Sequence, residues 1–425
     1  MIELKNDQLL ISFPSIADEL NRLADAYVER TLPEILAEDR LAALESLMRD
    51  SYEFKDAPQD DVDSARERVT TLSNDEIVRA FRQKVMSQTR GDERGHLSVE
   101  FQRTLRIPDD GRDYFLPPGL GRFPLRHIDD YGDRVPASWM ERGGVMMPIY
   151  QSEALWLNFH SSYPFALKVA SGKINAVTGE PWRSGLNQAP QDYLVLPRQP
   201  WLDGFAVEKG IIRQFVAMPL GAGYSVEEQL SGKAEFGGIQ LQVHPLKARI
   251  YFVKEVLPKL PKTLAEILPS LLPQLPMSMR WGPSVECCYV KEDGSMGLGA
   301  GGRMKQEIYE DPNNLEDWDL ETSSRCFGHL CDALVWREIT GSNPPHPPAT
   351  AREYERAGLP WFDFYRDDVA VLEGSKALAG VKSVVQLSKE KGDMAVTGNG
   401  SVESKKLLHC GPKQRPEQVR EWGGP

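Results

Sequence analysis

The stretch 143–182, GGVMMPIYQSEALWLNFHSSYPFALKVASGKINAVTGEPW, constrains the fold more than any other part of this chain. Leu155, Leu157 and Phe159 alternate with Trp156, Asn158 and His160. That period of two sends one set to each face of a sheet. Residues 146–150 form a short apolar run behind a Gly-Gly break, and 165–170 and 173–177 read as a strand pair. Ser171-Gly172 between them is the expected hairpin turn, because glycine tolerates positive φ. Thr178-Gly179-Glu180-Pro181 ends the run. Trp156, Phe159, Tyr163, Phe165 and Trp182 supply large apolar area to what packs over this sheet.

The stretch predicts a β-rich body, and the flanks predict additions to it. Residues 9–13 read as a first strand. From 15 to 95 the period becomes helical: Leu20, Leu23, Ala24 and Tyr27 share a face, as do Ile77, Ala80, Phe81 and Val85. Ser73 with Glu76 fits a capping box. Leu97, Val99 and Phe101 then restore strand alternation. The helical module therefore reads as an insertion between two strands of one sheet.

The expected fold is α+β, with antiparallel sheets in a sandwich- or barrel-like body. Residues 1–14 plus 96–255 make that body, 15–95 an inserted helical module and 256–278 a Pro-rich linker. Residues 279–388 form a C-terminal α+β segment packed on the body, and 389–425 a disordered tail. Within the C-terminal segment, 285–290 and 304–309 read as strands around an Asp293-Gly294 turn, and 317–340 as a helix. Thr350 with Glu353 opens a shorter helix, and 375–387 a last one.

Of 425 residues, 41% are hydrophobic and 26% charged, and the formal net charge is -12. That balance argues against nucleic acid or an anionic membrane surface as partner. No apolar run approaches the roughly 20 residues that span a bilayer, and the N-terminus lacks the pattern of a signal peptide. Cys287, Cys288, Cys326, Cys331 and Cys410 show no zinc spacing. Reduced thiols in a cytoplasmic setting are the expectation, with no metal and no cofactor.

The motifs FQRTLRIPDDGRDYFLPPGLGRFPLRHIDDY, MPIYQSEALWLNF, KINAVTGEPW and GLPWFDFY resemble a family of uncharacterised bacterial proteins over roughly 96–383. The family pattern lacks the helical stretch, which accords with an insertion. It implies no activity, so no catalytic residue is carried over.

Five groups of residues could carry chemistry. Gly221, Gly223 and Ser225 precede a short helix whose N–H groups could cradle an anion, although Glu227 and Glu228 in its first turn oppose one. A tight, well-capped corner is the commoner meaning of such a motif. Arg122, Arg126 and Arg134, with His127, could grip a carboxylate or phosphate, or simply pin a long loop through ion pairs. Glu153 among Trp156 and His160 could be a general acid, or an ion-pair partner. The stretch 297–303, GLGAGGR, could bind an anion through Arg303, but reads better as a hairpin tip. Cys326 and His329 could touch on one helix face, either as a nucleophilic pair or as core residues.

No complete catalytic set appears, while aromatic and proline-rich loops abound. The leading expectation is a non-catalytic binding or scaffold protein with an unknown protein or small-anion partner. The rival is an enzyme that handles a small anion through Arg122, Arg126, His127 and Glu153.

Overall fold

Asn6 and Asp7 both adopt positive φ, 51° and 57°. Short polar side chains tolerate that region, and it closes a tight hairpin between β1 (Ile2–Lys5) and β2 (Gln8–Ser12). β2 then lies antiparallel to β3 (His96–Thr104), with Leu9 opposite Val99 and Ser12 opposite His96. The two strands that flank the helical stretch are therefore neighbours. This computed structural model describes residues 1–50, 59–89, 95–272, 295–364, 369–393, 399–402 and 407–409.

Short strands β4 (Asp113–Tyr114), β5 (Gly119–Arg122) and β6 (Arg126–His127) precede β7 (Val145–Ile149) and β8 (Ala154–Ser161). β9 (Phe165–Ser171), β10 (Ile174–Asn175), β11 (Leu194–Leu196), β12 (Trp201–Leu202) and β13 (Gly204–Glu208) follow. β14 (Ile211–Pro219), β15 (Ile239–Pro245), β16 (Ser295–Lys305) and β17 (Ser324–Asp332) complete the sheet. Antiparallel pairing runs from β3 through β8, β14, β16, β17, β15 and β9 to β11. Residues 197–200 lead from β11 into β12, which pairs with β8 again. The sheet thus curls back towards its start. Every residue of β9 and β15 is buried, so both faces of these central strands are covered.

The chain divides into two compact units. One gathers Met1–Ser12, His96–Pro245 and the described part of Glu286–Pro425; it holds this sheet. The other gathers the described parts of Phe13–Gly95 and Leu246–Val285. Its helices are α1 (Pro14–Ala37), α2 (Arg40–Asp50), α3 (Gln59–Thr71) and α4 (Asn74–Thr89). Pro14 sits at the start of α1, where a missing N–H costs nothing. The Ser73–Glu76 capping box forms, and these bonds hold the Glu76 carboxyl down at about 2. Leu20, Ala24, Val28, Phe81 and Val85 are buried. So are Leu260, Leu264, Ile267 and Leu268, from the stretch expected to be a linker. The Tyr27 hydroxyl donates to the Pro261 carbonyl at 2.9 Å, and the Leu264 N–H to Glu38 at 3.0 Å.

Several local expectations need correction. The helix expected over 317–340 is strand β17 followed by a five-residue helix, Trp336–Thr340. β17 lies between β15 and β7, and Cys326 to Cys331 are all buried. A strand covered on both faces shows no alternation, so spacing alone reads equally well as a helix. The stretch 297–303 is no hairpin tip but lies within β16, with 297–302 buried and Arg303 half-buried. The hairpin after β9 turns at Gly172 and Lys173, since Ser171 pairs with Ile174. The last helix is two, Lys376–Ala379 and Val384–Lys391, capped by Ser375 and Ser383. Leu407–His409, in the expected tail, pairs in parallel with Trp361–Asp363. The expected 285–290 strand, the Asp293-Gly294 turn, Cys287, Cys288 and Cys410 lie outside the described residues. No helix among the described residues is long and apolar enough to cross a membrane.

Candidate functional site

The five groups singled out above fall in different places. Arg122 bonds the Asn6 carbonyl at 3.2 Å and the Glu100 carboxylate at 3.1 Å. Arg126 pairs with Asp7 at 3.5 Å, and Arg134 lies 5.1 Å over the Tyr131 ring. Glu153 is buried: Arg103 donates to one carboxylate oxygen at 2.7 Å and the Tyr150 N–H to the other at 2.9 Å. Burial pushes its carboxyl up, and the Arg103 guanidinium opposes that push. His160 meets Glu100 and Asn158 instead of Glu153. Among the described residues, no hydrogen bond or ion pair joins any two of Arg122, Arg126, His127 and Glu153.

The glycine corner is filled by the chain's own acid. Ser225 caps the helix Val226–Ser231, and the Glu228 carboxylate accepts from the Gly223 N–H at 2.7 Å and the Ser225 hydroxyl at 2.6 Å. The next carboxylate, Glu227, takes the Gly237 N–H at 2.7 Å and the Lys173 N–H at 3.2 Å. A side chain at Gly172 would strike it, with a Cβ only 2.2 Å from Glu227. These acids occupy the donors an outside anion would need.

Arg303 pairs with Asp113 at 2.7 Å and with Glu208 at 2.7 and 3.0 Å, which raises its pKa further. Cys326 and His329, three apart on a strand, point to opposite faces. Burial pushes the Cys326 thiol up to about 12 and the His329 imidazole down to about 3. His329 stacks on Trp139, with centroids 4.7 Å apart, and bonds the Gly143 carbonyl. Neither group suits proton transfer or attack near neutral pH.

A concavity with convergent polar groups lies elsewhere: a cavity of about 670 Å³ beside β10. Three segments distant in sequence build it, 177–191, 310–311 and 372–377. The first is shaped by Asn175, whose side-chain carbonyl accepts the Val177 and Thr178 N–H groups and whose amide donates to the Asp192 carbonyl. The second follows β16, where Gln191 locks it by accepting the Asp311 N–H at 2.8 Å and donating to the Tyr309 carbonyl at 3.1 Å. The third is drawn in by Ser375, which donates to the Thr178 carbonyl at 2.5 Å while its oxygen accepts the Leu378 N–H. Gly179 makes that approach possible, because a Cβ there would lie 2.9 Å from Leu378 and 3.1 Å from Ala377.

The back of the cavity is committed to hydrogen bonds within the fold. Asp311 accepts from the Tyr193 hydroxyl at 2.6 Å and the Trp318 indole at 2.7 Å, and Gln188 is held by the Asn313 carbonyl and the Leu315 N–H. Its rim is not. Glu180 and Glu310 make no side-chain hydrogen bond or ion pair among the described residues, and Glu373 meets only the exposed Lys209. The charged lining comprises Glu180, Glu310, Asp311 and Glu373 against Lys376. The apolar part is Val177, Pro190, Leu372 and Ala377.

None of these lining residues was a candidate in the sequence. The turn 178–181 and the Gln-rich loop 187–191 were legible as loops, but nothing local says that they meet 372–377. No family model matches this chain, and no curated protein or solved structure matches it.

Proposed function

We propose that this protein binds a small organic cation in the cavity beside β10 and does no chemistry on it. One observation carries the reading: a cavity of ligand size whose ionisable lining is four carboxylates and one ammonium. An amine entering there exchanges water for a field of one sign, strengthened by low-dielectric walls. Val177, Pro190 and Leu372 offer contact to its carbon chain.

The absence of chemistry is supported by the lining. It contains neither histidine nor cysteine, and the Ser375 hydroxyl is spent on the Thr178 carbonyl. The rival reading, an enzyme for small anions, has less support, because Arg122, Arg126 and Glu153 are each held by other partners. A cytoplasmic setting accords with Cys326 and Cys331, both buried and neither in a disulfide.

Calorimetric titration with spermidine at low ionic strength tests the proposal. Binding is expected, weakening roughly tenfold for each of Glu180→Gln and Glu310→Gln and falling with salt. No heat of binding, or an affinity unchanged from wild type in both variants, would dismiss this cavity as a cation site.

A further inference from the structure

Three cations on the surface of the sheet-bearing unit are anchored to aromatic rings, two of them also to carbonyl oxygens, instead of carboxylates. Arg142 ends the helix Ala137–Arg142, and its guanidinium donates to the Glu235 carbonyl at 3.1 Å and the Phe236 carbonyl at 3.4 Å. The same group lies 4.4 Å over the Phe236 ring and 5.6 Å over Phe327. Lys173, at the β9–β10 turn, places its ammonium 3.9 Å over that same Phe236 ring. Two positive charges therefore share one aromatic face-pair.

Arg325 extends the set. Its guanidinium lies 5.2 Å over Trp182 and donates to the side-chain carbonyl of Gln240. The Gln240 amide donates to the Gly172 carbonyl at 2.5 Å, and the Trp182 N–H to the Lys173 carbonyl at 2.7 Å. Arg325, Trp182, Lys173, Phe236 and Arg142 are thus one continuous patch.

Most other basic groups bonded on this unit have an acid: Arg103 has Glu153, Arg303 has Glu208, Arg213 has Asp109 and Lys168 has Asp192. Arg142, Lys173 and Arg325 have no ion pair among the described residues. The nearby carboxylate of Glu227 is buried and turned onto the Gly237 and Lys173 N–H groups, and exposed Glu235 pairs with none of the three. In a chain of net charge -12, three cations gathered by tertiary contacts without an acid partner make a local patch of the opposite sign, open to an anionic partner.

We infer that this patch docks an acidic segment of a protein partner. Two features favour a peptide over a small anion. The cations stand on separate rings along a surface instead of converging on one point, and half-buried Trp182 and Phe236 between them offer apolar contact that a bare phosphate cannot use.

The test is fluorescence polarisation of the full chain with a labelled peptide alternating Glu-Asp pairs with Phe. Binding should weaken at least tenfold in the triple variant R142Q/K173Q/R325Q and fall steeply with salt. Lys173→Gln removes a side chain that makes no hydrogen bond, so that variant keeps the fold; it should lose several-fold if the triple variant cannot be made. No binding at low salt overturns the inference, as does unchanged affinity in Lys173→Gln. Inorganic phosphate displacing the peptide at equal concentration would also overturn it, by assigning the patch to small anions.

Discussion

Asp203 is 3% exposed, and its carboxyl is bonded to the Gln306 amide at 3.1 Å and to the Trp201 indole, with no cation paired to it among the described residues. Burial pushes its pKa up to about 7. Below about pH 4 the group is protonated in folded and unfolded chains alike and does not affect stability. As pH rises from there towards 7, the unfolded chain gives up this proton and the fold keeps it, so stability falls; above 7 the full penalty is in place. At about 1.4 kcal/mol per pKa unit the loss approaches ~4 kcal/mol. Asp203→Asn removes it while keeping shape. Urea unfolding at pH 5 and pH 8 should show the wild type losing much more stability than the variant over that interval. Parallel losses would mean that Asp203 is ionised in the fold.

β16 shows how close packing, not polarity, can demand glycine. A Cβ at Gly301 would stand 2.6 Å from the Val216 side chain and 3.0 Å from the Gln214 carbonyl, and one at Gly302 2.3 Å from the Pro108 carbonyl. Neither position needs a left-handed backbone; the limit is space. Gly301→Ala should cost ~1–3 kcal/mol, read as a lower urea midpoint with unchanged slope. A stability within error of wild type would mean that β14 yields freely. The same strand explains what the sequence could and could not disclose. Where one face meets solvent, as in β3 and β8, alternation was visible and the strands were placed well. In β16 and β17 both faces are covered, so the glycines of 297–303 read as a hairpin tip and 317–340 as a helix. The capping boxes at Ser73, Ser225 and Thr350 are local devices, and all form. The cavity was not legible, since it exists only where three distant segments meet.

At the scale of the molecule, the helical stretch cannot be treated as a self-contained insert. Ser12 and His96 are register partners, so the sheet tolerates joining them directly. The core of the helical unit, however, is shared between Phe13–Gly95 and the segment from Leu246. Leu260, Leu264, Ile267 and Leu268 are buried there, and the Tyr27 hydroxyl and the Glu38 carboxylate tie that segment down. Removing residues 13–95 strips the cover from those four side chains and leaves a contiguous apolar surface, the kind that drives association. Such a deletion variant should keep the far-ultraviolet signature of strands yet bind a hydrophobic dye and self-associate. Adding Leu264→Glu and Ile267→Glu to the deletion should abolish dye binding and restore a monomer. A deletion variant that stays monomeric and dye-free without those changes would show that the two halves do not depend on each other for cover.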